Sequence, residues 1–503
     1  MTARRNALAF WLGSVLVTLG VVLHLPMLLA ARPMGYELAG MRMDRGMAWG
    51  MALIVIGIGC AVFGLLPRAP AAQRSPMAPL PTMSPADDAP LLGRHLGMVG
   101  LLGLALIIDI MKPATLGFVT PGMRIEYRLG PATVAWLPFA ALFGTVIGSF
   151  AWGALADTYG RRASILLAAE MFVGTSICGA MPDFWWNVAM CFLMGAAAGG
   201  MLPVAYALLA EIMPKRHRGW SLVLVGGIGA VGGYFAASEL SALLQPTFGW
   251  RIMWFLNLPS GLLLVILSPL LPESARFLSQ CGREAEARLM FARFGFVETP
   301  SAPHRPLPPV ERRFGDVTAA LTLAALAWGL INFGLLLWLP TALVAEGRSV
   351  AAASALIAKS TLIAAPTILI SAWLYGAWST KWSLVTMIGV SALGLAGLAM
   401  RAGGVAALSN PVLPLTLLIL GASGVIAILL PYTAENFPAR ARGRATGWVA
   451  GCTKLGGLLA QGMSVAGAVP AFGLAVLAIS VPAAVSLLLL AAYGRETRGA
   501  DLP

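Results

Sequence analysis

The sequence predicts an all-α polytopic membrane protein, and three observations predict it. Hydrophobic residues make up 58% of the 503 positions and charged ones only 11%, with a mean hydropathy of +0.82; a soluble domain is about a quarter charged. Charge-free runs recur at 6–31, 46–67, 129–156, 184–210, 252–272, 317–345 and 402–434, each able to supply the ~20 apolar residues that cross a ~30 Å hydrocarbon core. When the chain is threaded from side to side at every run, most of its 34 basic residues fall on one side, the inside of the positive-inside rule. The formal charge of +13 therefore reports topology, not a nucleic-acid partner.

The elements follow in order. Residues 1–67 hold two spans, an N-terminal membrane extension; Arg4 and Arg5 before the first run resemble a signal sequence, but the run exceeds a 7–15-residue signal core and reads as a retained anchor. Residues 68–95, rich in Pro and Ala, have the composition of an extended cytoplasmic linker. Six spans occupy 96–271, with Asp109, Glu170 and Glu239 as isolated acids. A charged inner segment, 272–316, leads to six more spans over 317–493, where Lys359 and Lys454 stand alone, and 494–503 is an inner tail. The expected count is fourteen: a twelve-helix, six-plus-six core with two extra N-terminal helices. The five cysteines show no paired or metal-type spacing and read as small hydrophobes.

The two sixes are related. "AEIMPKRHRG" (210–219) and "AENFPARARG" (434–443) share A-E-x-x-P-x-R-x-R-G, and "PESARF" (272–277) is echoed by "RETRG" (495–499) at nearly the same offset. Parallel repeats of this kind build one large class of transporters. "GALADTYGRR" (153–162) resembles the signature of the major facilitator superfamily, keeping Gly153, Asp157, Gly160, Arg161 and Arg162. "PESARF" and "RETRG" resemble the paired motifs of its sugar-porter branch, and "NFGLLLWLPTAL" (332–343) is similar to the seventh helix of organic-acid and niacin-type symporters. The resemblance covers about 96–499. It implies a secondary transporter working by alternating access. The signature is expected to form a latch at the inner gate, Gly153 letting two helices approach closely, with Glu211–Arg218, Glu435–Arg442, Glu273 and Arg276 as companion contacts. "YGAWSTKWSL" (375–384) keeps little of the signature, which implies an asymmetric gate.

An ionisable residue within a span is costly and marks a pathway. In "ALIIDIMKPATLGF" (105–118) Asp109 and Lys112 lie three residues apart on one helix face, able to neutralise each other, and Pro113 loosens the helix just beyond. The resemblance implies that Asp109 carries a coupling proton, and Glu239 stands as a second candidate acid. Lysine occurs only five times against 29 arginines, and Lys112, Lys359 and Lys454 all fall within spans. These lysines suit an organic anion, with Asn332, Trp338, Gln461, Tyr206 and Tyr234 as further lining; snorkelling to the interface is the plain alternative for Lys359 and Lys454. The expectation is proton-coupled symport of a small organic anion in a bacterial inner membrane, both termini cytoplasmic. The proton gradient supplies energy and no cofactor is needed.

Rival readings are drug or metabolite efflux by proton antiport, a solute sensor, and a copper-linked transporter. The last rests on Met27, Met34, His24 and "MRMDRGMAWGM" (41–51), since thioethers favour Cu(I). The front helix pair is expected to brace the core or to bind a partner protein. No P-loop, nucleophile elbow or metal-type histidine pair appears, so an enzyme is excluded.

Overall fold

In hydrocarbon every backbone N–H and C=O must be paired within its own segment, so apolar runs become helices. The computed structural model describes residues 2–66, 90–295, 315–405 and 410–498; much of the expected linker (67–89), part of the inner segment (296–314) and the end of the tail (499–503) lie outside the described residues. In chain order the helices are α1 (Arg5–Ala30), α2 (Arg45–Leu65), α3 (Gly93–Glu126), α4 (Pro131–Tyr159), α5 (Arg161–Ala180), α6 (Phe184–Ile212), α7 (Lys215–Phe248), α8 (Ile252–Ile266), α9 (Gly315–Ala345), α10 (Val350–Trp378), α11 (Thr380–Ala402), α12 (Val412–Asn436), α13 (Ala439–Val465) and α14 (Phe472–Tyr493). No strand occurs among the described residues. Among the described residues, twelve helices are long and apolar enough to cross a membrane. α8 is shorter, and α13 carries Arg442, Arg444, Lys454 and Gln461 along its length, so the fourteen expected spans stand at twelve by this measure.

Helices α3–α8 pack among themselves, as do α9–α14, and the two sets meet through α4 with α13, α7 with α10 and α12, and α3 with the second half of α9. Prolines loosen the helices near this junction. Pro113 lies inside α3 and lacks the N–H that would bond the carbonyl of Asp109, four residues earlier. In α9, Pro340 likewise frees the carbonyl of Leu336, which accepts a hydrogen bond from Tyr234 Oη of α7 at 3.3 Å. A π-helical turn, Leu330–Leu335, interrupts α9 just before this point; such turns recur at functional sites.

The front pair is docked, not free. α1 and α2 pack against each other and onto α5 and α8. Ser14 hydrogen-bonds the buried Glu170 carboxyl of α5, and Val17, Met27, Leu38, Met47 and Ile54 share an apolar cluster with Val173, Ile177, Met181 and Phe255. The thioethers of Met27 and Met47, offered above as copper ligands, are thus engaged in packing. The loop between α1 and α2 is pinned by Glu126 at the end of α3, whose Oε1 accepts from the N–H groups of Leu38 (2.7 Å) and Ala39 (2.9 Å). The same carboxylate meets Arg251 Nη2 at 2.5 Å, with side chains only 1% and 5% exposed, and Trp250 Nε1 donates to it at 2.8 Å. Arg251 Nη1 donates to the carbonyls of Gly179 and Met181.

Removing one partner of a buried pair strands the other charge, a loss of about 3–5 kcal/mol. Arg251→Met is therefore expected to lower the thermal unfolding midpoint of the detergent-solubilised protein sharply. Adding Glu126→Gln should restore part of the loss, because the stranded carboxylate is then gone.

Candidate functional site

Asp109 and Lys454 define the centre. Each sits near the middle of a helix that starts on the face bearing the Arg161 loop, here termed the basic face, and ends on the opposite face. Asp109 is 5% exposed and its Oδ1 has no hydrogen-bond partner. Lys454 is half-buried on α13. The two act on each other electrostatically across the junction between the helix sets, yet no ion pair joins them among the described residues. The Lys454 Nζ stands instead over the Phe333 ring, 4.7 Å from its centroid.

Above them, toward the opposite face, lies a cavity of about 470 Å³. Its floor includes Leu116 and Gln461, each seven residues, or about 10 Å of helix, beyond Asp109 and Lys454. Thr120 and Arg124 of α3, Trp338 and Thr341 of α9 and Ser464 of α13 contribute its polar wall. Gln461 Nε2 donates to the carbonyl of Phe333 at 2.5 Å, bonding to the π-helical turn of α9. The Trp338 indole N–H has no partner. Arg124 is exposed at the end of α3 and, among the described residues, is the only charged one lining the cavity.

Several expected site residues stand elsewhere. Lys112 does not pair with Asp109 by a hydrogen bond: it is 1% exposed, and its Nζ lies 3.3 Å from the centroid of the Phe172 ring on α5 with no hydrogen-bond acceptor. The three-residue offset puts both side chains on one face of α3, but Lys112 is long enough to turn into the α5 packing and away from the cavity. Lys359 is exposed on the same face of α10 as Leu362 and Ile363, an apolar face suited to lipid, from which a lysine snorkels. Tyr206 is buried with an unpaired hydroxyl against Gly226 of α7, and Tyr234 is engaged with Leu336. Glu239 and Asn332 are half-buried and outside the cavity lining.

On the basic face the motifs form a network repeated in the two helix sets. Glu273, after α8, accepts from the N–H groups of Arg161 (2.7 Å) and Arg162 (3.3 Å) at the start of α5, an anion at a helix N-terminus. Ser274 hydrogen-bonds Glu211 at the end of α6. Arg161 ties the cluster with ion pairs to Asp157 (2.7 Å) and Glu211 (3.5 Å). Arg162 Nη2 donates to the Ser268 carbonyl at 3.2 Å, and Arg218 reaches the carbonyl of Met213. Gly160 has φ +106°, and a Cβ there would overlap the Glu273 carboxylate, so the motif needs glycine twice over. Gly153, expected at a close helix contact, faces open space, and Arg276 is exposed outside the cluster.

In the second set, Glu496 accepts from Thr380 N (3.0 Å) and Thr380 Oγ1 (2.7 Å) at the start of α11, and Ser379 also bonds it. Thr497 Oγ1 donates to Glu435 at 2.6 Å, with Arg442 within electrostatic reach of that carboxylate. Glu496, Thr497 and Glu435 repeat Glu273, Ser274 and Glu211 at 223 or 224 residues. Hydroxyls of Ser379 and Thr380 stand where the first set uses Arg161.

A family model described as the Major Facilitator Superfamily matches residues 98–461. The chain belongs to the Major Facilitator Superfamily. It is a multi-pass membrane protein and a secondary transporter, not an enzyme. It is 26% identical over 393 residues to the niacin transporter NiaP of Acinetobacter baylyi, covering 75% of this chain and 88% of that protein. It is 24% identical over 400 residues to the benzoate transport protein of the same organism, covering 74% and 83%. The proton:xylose symporter XylE bound to 6-bromo-6-deoxy-D-glucose superposes with a TM-score of 0.62 over 82% of this chain and 98% of its own, at 17% identity, a likeness of fold. The front helix pair lies outside the segment that matches the superfamily model.

Sequence reasoning missed Arg124, which looked like an ordinary charge at a span's end, and Phe333, hidden in an apolar helix. It also missed Ser379 and Thr380, because hydroxyls replace the guanidinium of the signature. The two capping acids differ in character. Burial pushes the Glu273 carboxyl up against its hydrogen bonds from Ser274, Arg162 and Arg161. For Glu496 burial also works upward, but hydrogen bonds from Ser379, Thr380 and the Arg498 N–H outweigh it and hold the group down at about 2. A depressed folded-state pKa stabilises the fold above the ordinary value near 4.5, and that stabilisation is lost as pH falls through about 2. Glu496→Gln should thus unfold at a lower temperature than the parent at about pH 7. The gap between the two melting curves should close on acidification below the ordinary carboxylate range.

Proposed function

We propose that this chain is a proton-coupled symporter of a small aromatic carboxylate. The observation that carries the reading is the charge of the cavity: among the described residues its lining holds one formal charge, Arg124, and no acid, and Lys454 lies two turns beneath. A positive funnel raises the local concentration of an anion. Niacin and benzoate, named for two relatives, are flat monocarboxylates of a size the cavity accommodates. The Trp338 ring and its unpaired N–H offer such a molecule a stacking face and a donor.

Coupling follows from charge balance. Asp109 and Lys454 together are neutral when the site is empty. They are neutral again when Asp109 holds a proton and Lys454 a carboxylate. Loading one without the other leaves a net charge on the pair at mid-depth, where an unbalanced charge is costly. The carrier therefore cycles fully loaded or fully empty. The basic face is read as cytoplasmic, in a bacterial inner membrane, and the cavity then opens toward the outside.

In proteoliposomes, the wild type is expected to accumulate radiolabelled benzoate or nicotinate when the cavity side is acidified. Asp109→Asn should keep exchange of labelled for unlabelled substrate but lose accumulation driven by the proton gradient; normal accumulation by that variant would overturn the coupling role. Lys454→Met should weaken substrate binding by about 1.5–3 kcal/mol, the range for a charged hydrogen bond, read as a rise in KM of roughly 10- to 150-fold. Arg124→Gln should raise KM several-fold, and less so at high salt, because screening already weakens an exposed charge.

A further inference from the structure

Opposite charges facing each other across a half-desolvated junction should close into an ion pair. Asp109 and Lys454 do not: the Asp109 Oδ1 is unpaired, and the lysine ammonium rests on the Phe333 ring. We propose that Phe333 is a positioning residue that holds the Lys454 ammonium off Asp109, keeping the cation open to substrate and the carboxyl open to a proton. This rests on the carboxylate-symporter reading above.

The ring is buried and held by its neighbours. It is 5% exposed. Its edge meets the Trp328 ring at 5.6 Å and 87°, and Trp328 is itself anchored by a hydrogen bond of 2.7 Å from Nε1 to the Ala422 carbonyl of α12. Its own carbonyl, within the π-helical turn, is held by Gln461 from α13, the helix that carries Lys454. Ring and lysine are thereby kept in register by the Gln461 bond between the two helices that carry them. A cation over an aromatic face gains about 0.5–2 kcal/mol, enough to compete with a partly hydrated ion pair whose median worth is similar. A lysine stem has four rotatable carbons. Without the ring it is free to reach the carboxylate, and both substrate and proton would then have to break that pair to enter.

The charged groups that act on Asp109 are Lys112 of its own helix and Lys454 from the other set. The packed helices α6 and α7 bring the phenols of Tyr206 and Tyr234, and Glu170 of α5 is occupied by Ser14. Among the described residues, α4, α8 and α9 bring no titratable side chain that acts on Asp109. Of these, Lys454 comes from the other helix set and is held in place by the Phe333 ring.

The test compares Phe333→Met, which nearly conserves volume, with Phe333→Tyr, which conserves the ring, in full-length protein in proteoliposomes with benzoate as substrate. Phe333→Met is expected to raise KM by up to about 5-fold, the worth of the ion pair that substrate must then break, and to move half-maximal uptake to lower pH, while Phe333→Tyr restores both. In an Asp109→Asn background, Phe333→Met should leave the KM for exchange unchanged, since no carboxylate remains for the lysine to fall upon. Equal KM and pH profiles for wild type, Met and Tyr variants would overturn the inference, as would an undiminished Phe333→Met effect in the Asp109→Asn background. A second measurement needs no transport: the infrared carboxyl stretch of Asp109, assigned by its loss in Asp109→Asn, should titrate at different pH in wild type and Phe333→Met, and an unmoved titration counts against the role. A wild type that transports neither benzoate nor nicotinate sinks the symporter reading itself, whereas a transporting wild type with indifferent Phe333 variants sinks only this role.

Discussion

The structure turns on two charges of opposite sign that face each other at mid-depth from separate helix sets without touching. Membrane burial makes each of them expensive alone, so the chain must supply compensation that is not a closed ion pair. It does so in three ways. Asp109 lies in a helix loosened by Pro113, whose missing N–H leaves the Asp109 carbonyl free. Lys454 has an aromatic face to rest on. The cavity above ends within two helical turns of both. Each device keeps the charges tolerable while leaving them available, which a salt bridge would not.

The basic face answers a different need. Two helix sets that tilt against each other require rigid ends, and a helix start is stiffened by satisfying its unpaired N–H groups. Both sets do this with an acid from the segment after their last helix: Glu273 for α5 and Glu496 for α11. A neighbouring hydroxyl, Ser274 or Thr497, ties the acid at the end of the next helix. Only the first set adds the Arg161 ion pairs. The hydrogen bonds named here run within each set and stiffen its own helix ends. The asymmetry expected of the gate is thus one of chemistry, guanidinium against hydroxyl, laid over a shared scaffold of hydrogen bonds.

Fold class and repeat were legible because both are written in one dimension: apolar run length, and motifs recurring at a constant offset. The direction of individual side chains was not. A helix surrounded by apolar partners or by lipid has no polar face to mark its orientation, so the sequence could not separate Lys454, at the junction, from Lys359 on the lipid-suited face or Lys112 on Phe172. In Asp109 and Lys112 the three-residue spacing suggested a pair, but spacing fixes the Cα positions, not where a long stem ends. Arg124 and Phe333 carried no signal because their residue types are ordinary where they stand, and only the meeting of α3, α9 and α13 gives them a role.

The front helices show how an addition can be absorbed without disturbing the cycle. Their substantial helix contacts among the described residues lie with α5 and α8 and not with α9–α14, and their tethers sit at two levels, Ser14 on Glu170 and the loop N–H groups on Glu126. Glu126 is the same carboxylate that neutralises the buried Arg251, so the loop is anchored to an interaction the first set needs in any case. Attachment to one set alone adds bulk and stiffness to that body and leaves the junction with the other free. Had the pair bridged both sets, every change of access would have had to break an apolar interface of the kind that Val17, Ile54, Val173 and Phe255 form, at roughly 1.5–3 kcal/mol for each large side chain exposed. Confinement to one side is what makes two additional helices compatible with a carrier whose halves must move.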